Sequence, residues 1–90
     1  MLTAKEAKEK SNAIYNKKVD EEYLELLTCI ETQIAKATEK GEFSLSISTK
    51  LIIKLDSVLK TVEALRDLGY SVRYFYDCNI RKIYINWGDA

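Results

Sequence analysis

The side chains able to carry chemistry are few in kind. The 90 residues include no histidine and no proline, and the two cysteines, Cys29 and Cys78, stand far apart. A Ser-His-Asp or Cys-His nucleophile needs an imidazole base, so that chemistry is excluded. Zinc sites built from Cys and His lack their ligands. Asp20, Glu21, Glu22 and Glu25 form an acidic cluster, and paired carboxylates can hold Mg²⁺ or move protons. The spacing favours a plainer role, a solvated helix face with Lys17–Glu21 and Lys18–Glu22 pairs at i,i+4. No D-x-D-x-D-G, GxGxxG or GxxxxGK pattern occurs, so no calcium loop or phosphate cradle of those kinds is encoded. Cys29 reads as a core residue and Cys78 as a turn residue. The expectation is a chain without catalytic residues, metal or cofactor.

Binding chemistry is better represented. All three arginines, Arg66, Arg73 and Arg81, fall in the C-terminal third, the last two among Tyr74, Phe75, Tyr76, Tyr84 and Asn86. Planar guanidinium forks pair with phosphates, and aromatic faces stack on bases. Arg73, Arg81, Tyr74, Tyr76, Tyr84 and Asn86 are therefore the candidate ligand-binding set. The competing reading is a solvated hairpin with cross-strand Tyr–Arg pairs. Six tyrosines are many for this length, and tyrosine suits interfaces, being apolar in body and polar at the tip. Ile14, Tyr15 and Tyr23 are the candidate oligomer contacts, with closure of the protomer's own core as the alternative.

Charge narrows the partners. Fourteen basic and fourteen acidic side chains cancel, and neither half carries the basic footprint of a nucleic-acid binder. No apolar run approaches the roughly 18 residues of a membrane span. The opening MLTAKEAKEK has no apolar h-region, which predicts no signal peptide and, with free thiols, a cytoplasmic setting.

These residues must be positioned by a small set of elements within one domain over residues 1–90. Leu2-Thr3-Ala4-Lys5-Glu6 reads as a capping box, with Thr3 as N-cap. Gly41 reads as the left-handed stop. Tyr23, Leu26, Leu27, Ile30, Ile34 and Ala37 form one apolar stripe between them. Lys17-Lys18-Val19-Asp20 is a candidate kink, so residues 3–40 are either one helix or two. One helix would span roughly 57 Å at about 1.5 Å per residue. A compact domain of this length is only about 25–30 Å across. The helix would overhang its own domain, which argues for oligomerisation.

Phe43 to Ser48 alternates, predicting a half-buried strand with Phe43, Leu45 and Ile47 inward. A second helix follows, starting near residue 49 or at Asp56. Its expected buried face is Leu51, Leu55, Val58, Leu59, Val62, Leu65 and Leu68, and Gly69 ends it. Two further strands, Tyr70–Tyr76 and Lys82–Trp87, flank turn chemistry at Asp77-Cys78-Asn79. Tyr70, Val72, Tyr74 and Tyr76 alternate with Ser71, Arg73 and Phe75. Ile83, Ile85 and Trp87 alternate with Lys82, Tyr84 and Asn86. The fold class is α+β: a long N-terminal helical segment (1–41), then a β-α-β-β unit (42–90). The right-handed crossover rule predicts parallel first and second strands in a mixed sheet of order 1-3-2. Both helices are expected on one sheet face, leaving the other to solvent or a partner.

The LTAKEA start, the GEFS strand entry, the ALRDLGYSV helix-to-strand junction and the closing IYINW strand resemble a group of small accessory proteins encoded by tailed bacteriophages and prophages. The resemblance spans essentially the whole chain and rests on structural punctuation, so it carries over no functional residue. It implies a phage protein acting in the host cytoplasm. Proteins of this size commonly bind and disable a host component. One recurrent form is a homo-oligomeric sponge for a nucleotide-derived immune signal, and extending it to this chain is a hypothesis. The rival expectations are a protein-binding module that blocks a host enzyme, and a structural virion or genome-handling component.

Overall fold

A computed structural model describes residues 1–50, 53–77 and 80–89, with the side chains of Lys50, Tyr76, Asp77 and Ile80 outside the described set. The first element is one unbroken helix, α1, over Ala4–Glu39. Thr3 caps it in extended conformation, its hydroxyl accepting the Glu6 N–H at 3.1 Å. At the other end Gly41 takes φ +76°. Gly41 N–H donates to Thr38 O and Glu42 N–H to Ala37 O. These are the paired bonds of a Schellman stop. Asp20 starts no new helix, and α1 runs unbroken through residues 16–20.

Strand β1 follows over Ser44–Lys50, then helix α2 over Leu55–Asp67, and strands β2 over Ser71–Asp77 and β3 over Ile80–Asn86. The alternation from Phe43 therefore runs on as strand to Lys50, and α2 starts close to the later of its two candidate positions. Gly69, at φ +98°, closes α2 with a second Schellman pair: Gly69 N–H to Arg66 O, and Tyr70 N–H to Leu65 O. The strand order is β1-β3-β2. Both ladders are antiparallel, so β1 and β2 point the same way from opposite edges without pairing. In its hydrogen bonding the sheet is antiparallel rather than mixed.

The core joins Leu26, Ile30 and Ile34 of α1, Val58, Val62 and Leu65 of α2, and Val72, Ile83 and Ile85 of the sheet. The central strand is buried most deeply, with Ile83 0% and Ile85 1% exposed. The buried stripe of α2 is Ser57, Val58, Thr61, Val62 and Leu65. Leu55, Leu59 and Leu68 lie exposed instead, and Leu51 lies outside the described residues. The tighter stripe contains two polar members because each has a partner: Thr61 Oγ1 donates to Ser57 O and Ser57 Oγ to Glu22. Phe43, expected inward, is 64% exposed. It precedes the strand proper and meets the chain end instead, its carbonyl accepting the Trp87 N–H at 3.0 Å.

The core engages only part of α1. Every residue from 1 to 18 is exposed, and Val19 is the first buried one. The molecule measures 59 × 27 × 18 Å, with a radius of gyration of 15.9 Å. A compact chain of this length has a radius near 12 Å. The excess is the N-terminal half of α1 projecting past the sheet.

Candidate functional site

The open side of the sheet is built by strand alternation alone. On β2, Ser71, Arg73 and Phe75 are exposed, while Val72 is buried and Tyr74 half-buried. On β3, Tyr84 and Asn86 are exposed between buried Ile83 and Ile85. The register stacks three rows across the strands: Ser44–Asn86–Ser71, Ser46–Tyr84–Arg73 and Ser48–Lys82–Phe75. Side chains from all three rows line one shallow depression of about 970 Å³.

Phe75 and Tyr84, diagonal neighbours on adjacent strands, meet edge to face at 5.4 Å and 85°. They keep 47% and 41% of their surface exposed, enough to present aromatic faces outward. Arg73 and Lys82 flank them. No hydrogen bond or ion pair engages Arg73 among the described residues. Asn86 Oδ1 accepts the Gly88 N–H at 2.9 Å, which orients the amide. Among the described residues Asp89 is the one acid lining the depression. Two cations, two aromatic rings and a serine row can bind a planar anion: charge fixes its phosphates or carboxylates, and the rings cover its flat part.

The six candidate ligand residues are therefore not brought together. Arg73, Tyr84 and Asn86 share the open side. Tyr74 packs partly buried against the core. Arg81 is half-buried, and its Nη1 donates to the Ile53 carbonyl. Tyr76 is the ladder partner of Arg81, and its side chain lies outside those described. The cause is parity. Antiparallel register pairs residue 73 with 84 and residue 76 with 81, so the two arginines fall on opposite faces. Arg66, at the end of α2, donates to Val72 O at 2.9 Å, so Arg66 and Arg81 hold elements together and Arg73 does not. Lys82, Phe75 and the serines were missed as a set. Their signal was present, because Lys82 shares the alternation of Tyr84 and Asn86.

A second polar cluster joins the two helices. Lys54, the N-cap residue of α2, makes no side-chain cap bond. Glu22 of α1 does so instead: its Oε1 accepts the Lys54 N–H at 3.2 Å and the Ser57 hydroxyl at 2.8 Å, with Lys54 Nζ at 3.8 Å. Partial burial works to raise the Glu22 pKa. The Ser57 hydroxyl, the Lys54 N–H and the Lys54 charge outweigh it and hold the pKa below the ordinary value. Beside it the Tyr15 hydroxyl donates to Asp56. That bond, then burial and the charges of Asp56 and Glu22, raise the tyrosine's pKa.

Asp20 pairs with Lys60, whose ammonium sits 4.9 Å from the Tyr23 ring centroid. The acidic run is thus not only a solvated face: Asp20 and Glu22 reach α2, while Glu21 and Glu25 stay exposed. Tyr15 and Tyr23 turn toward α2 and close the protomer, whereas Ile14 stays 58% exposed. Cys29, expected in the core, is exposed, and Cys78 lies outside the described residues. Among the described residues no cluster of three metal-ligating side chains occurs, and no helix is long and apolar enough to cross a membrane. No family model, curated protein or solved structure matches the chain.

Proposed function

We propose that the chain is a non-enzymatic binding protein that holds a nucleotide-derived signal on the open side of its sheet. In this reading it is a bacteriophage accessory protein that sequesters an immune signal in the host cytoplasm, acting as a homo-oligomer. The two helices cover one sheet face and leave the other for the ligand. The observation that carries the reading is the gathering of Arg73 and Lys82 around the Phe75–Tyr84 pair in one depression of about 970 Å³. That volume suits a small molecule, and the set offers charge for phosphate and rings for a base.

Calorimetric titration with a cyclic dinucleotide and with ADP-ribose tests it. Binding of either, weakened about tenfold or more by Arg73→Ala and by Lys82→Ala, is expected. Absence of binding to both, or binding indifferent to both substitutions, overturns the reading. A second reading has one observation in its favour. The projecting end of the molecule leaves Leu2 48% and Ile14 58% exposed, which suits a protein-binding module blocking a host enzyme. Capture of one defined enzyme, abolished by Ile14→Glu but not by Arg73→Ala, would support that alternative.

A further inference from the structure

The outward side of α1 carries a pattern that its own core does not use. Lys10, Ile14, Lys17, Glu21, Leu24 and Glu31 follow one another at spacings of four, three, four, three and seven. The spacing is that of a heptad repeat, with apolar Ile14 and Leu24 at two of the six positions and charges at the other four. All six are exposed. They lie across the helix from Leu26, Ile30 and Ile34: Leu24 and Leu26, two residues apart, are about 200° apart around the axis. Ile14 and Leu24 are 58% and 59% exposed, the two most exposed large aliphatic side chains within α1.

The seam is self-complementary about residue 19. Ile14 and Leu24 each lie five residues from it, and Lys17 and Glu21 each lie two. The wider charge pattern has the same centre. Residues 4–18 hold five lysines and two glutamates, whereas residues 20–31 hold five acids and no base. Residue 19 is also where the core begins, since Val19 is the first buried side chain. Residues 4–14, all exposed, precede the contact of Tyr15 with Asp56 of α2, and an isolated helix of that length is marginal in water.

We propose that two copies of this chain pair antiparallel along the outward side of α1, centred on residue 19. Ile14 then packs on the second copy's Leu24, and Lys17 faces its Glu21, each contact made twice by the two-fold axis. The basic projecting half of each helix lies along the acidic, core-anchored half of the other. A parallel pair would set Lys17 against Lys17 and Glu21 against Glu21. The second copy thus supplies what the projecting half lacks. The seam is across α1 from the core, so each copy keeps its own open sheet side. The proposal rests on the reading above only in expecting a homo-oligomer, and its test uses no ligand.

The experiment is sedimentation velocity with multi-angle light scattering on the full chain, at low and high salt. Wild type should run as a dimer, dissociating more readily at high salt because Lys17–Glu21 attraction is screened. Ile14→Glu should be monomeric. Lys17→Glu and Glu21→Lys should each weaken the dimer about tenfold or more by placing like charges opposite. The double variant Lys17→Glu with Glu21→Lys should recover it. All these positions are exposed, and matching near-ultraviolet circular dichroism from the Tyr70–Trp87 aromatic pair confirms each folded core. A monomer at every concentration, a dimer indifferent to Ile14→Glu, or single charge reversals not rescued by the double variant would each overturn the proposal. Ligand binding that persists in a monomeric Ile14→Glu protein would leave the sheet-side reading standing alone.

Discussion

Helix α2 should depend on a carboxylate borrowed from α1. Glu22→Ala removes the acceptor for the Lys54 N–H and for the Ser57 hydroxyl, which belongs to a fully buried residue. The lost cap costs about 1 kcal/mol. A buried hydroxyl left without its acceptor costs about 1–3 kcal/mol more. The Glu22 side chain is only 22% exposed, so water replaces the lost bonds poorly, and the sum is about 2–4 kcal/mol. A 90-residue domain has a total of roughly 5–13 kcal/mol. The substitution should therefore lower Tm by about 8–30 °C.

Urea unfolding of wild type, Glu22→Ala, Ser57→Ala and the double variant measures this as a cycle. The pH dependence gives an independent arm with a fixed sign. The Glu22 pKa is lowered by folding, so its stabilisation is present above the unfolded carboxylate's pKa, near 4.3. It is lost as pH falls through the lower folded value. The advantage of wild type over Glu22→Gln should shrink on acidification below about pH 4. A Glu22→Ala cost under about 0.5 kcal/mol, or a Glu22→Gln difference equal at neutral and acid pH, refutes the reasoning.

Three further outcomes follow from the same contacts. Ile83→Ala, at the fully buried centre of β3, should cost about 2–5 kcal/mol in urea unfolding. Gly41→Ala meets no atom within 4 Å yet must hold φ +76°, so its cost of about 1–2 kcal/mol is backbone strain alone. Hydrogen exchange should show residues 4–14 protected in wild type and fast in Ile14→Glu, because nothing in the protomer covers them; equal rates in both would count against the seam.

Much of the scaffold was legible because it is locally encoded. Thr3 and Gly41 bound α1, Gly69 ends α2, and alternation in β2 and β3 assigns each side chain its side. The strand order β1-β3-β2 followed from the apolar last strand, whose Ile83, Ile85 and Trp87 suit the centre of the sheet. What was not legible depends on tertiary partners. Asp56 has the chemistry of an N-cap, but Glu22, 32 residues before Lys54, caps the helix and leaves Asp56 for Tyr15. Leu55 and Leu59 fit an apolar stripe, but the helix turns Ser57 and Thr61 inward because Glu22 and the Ser57 carbonyl satisfy their hydroxyls. Cys29 sits beside Ile30 in sequence yet about 100° away around the axis, and the sheet reaches only the Ile30 side. Arg73 and Arg81 looked like one site because both lie on the hairpin. The alternation itself separates them, because Arg81 shares the parity of buried Ile83 and Ile85 while Arg73 is out of step with buried Val72, and the ladder register, which pairs Arg81 with Tyr76, agrees.

The most direct test is an amide chemical-shift titration of the full chain with a cyclic dinucleotide and, separately, with ADP-ribose. Saturable shifts confined to Arg73, Phe75, Lys82, Tyr84 and Asn86, with residues 4–18 of α1 unmoved, are the predicted result. No shift with either ligand, or shifts centred on the buried side of the sheet around Tyr74 and Arg81, would contradict a binding protein that works through its open sheet side.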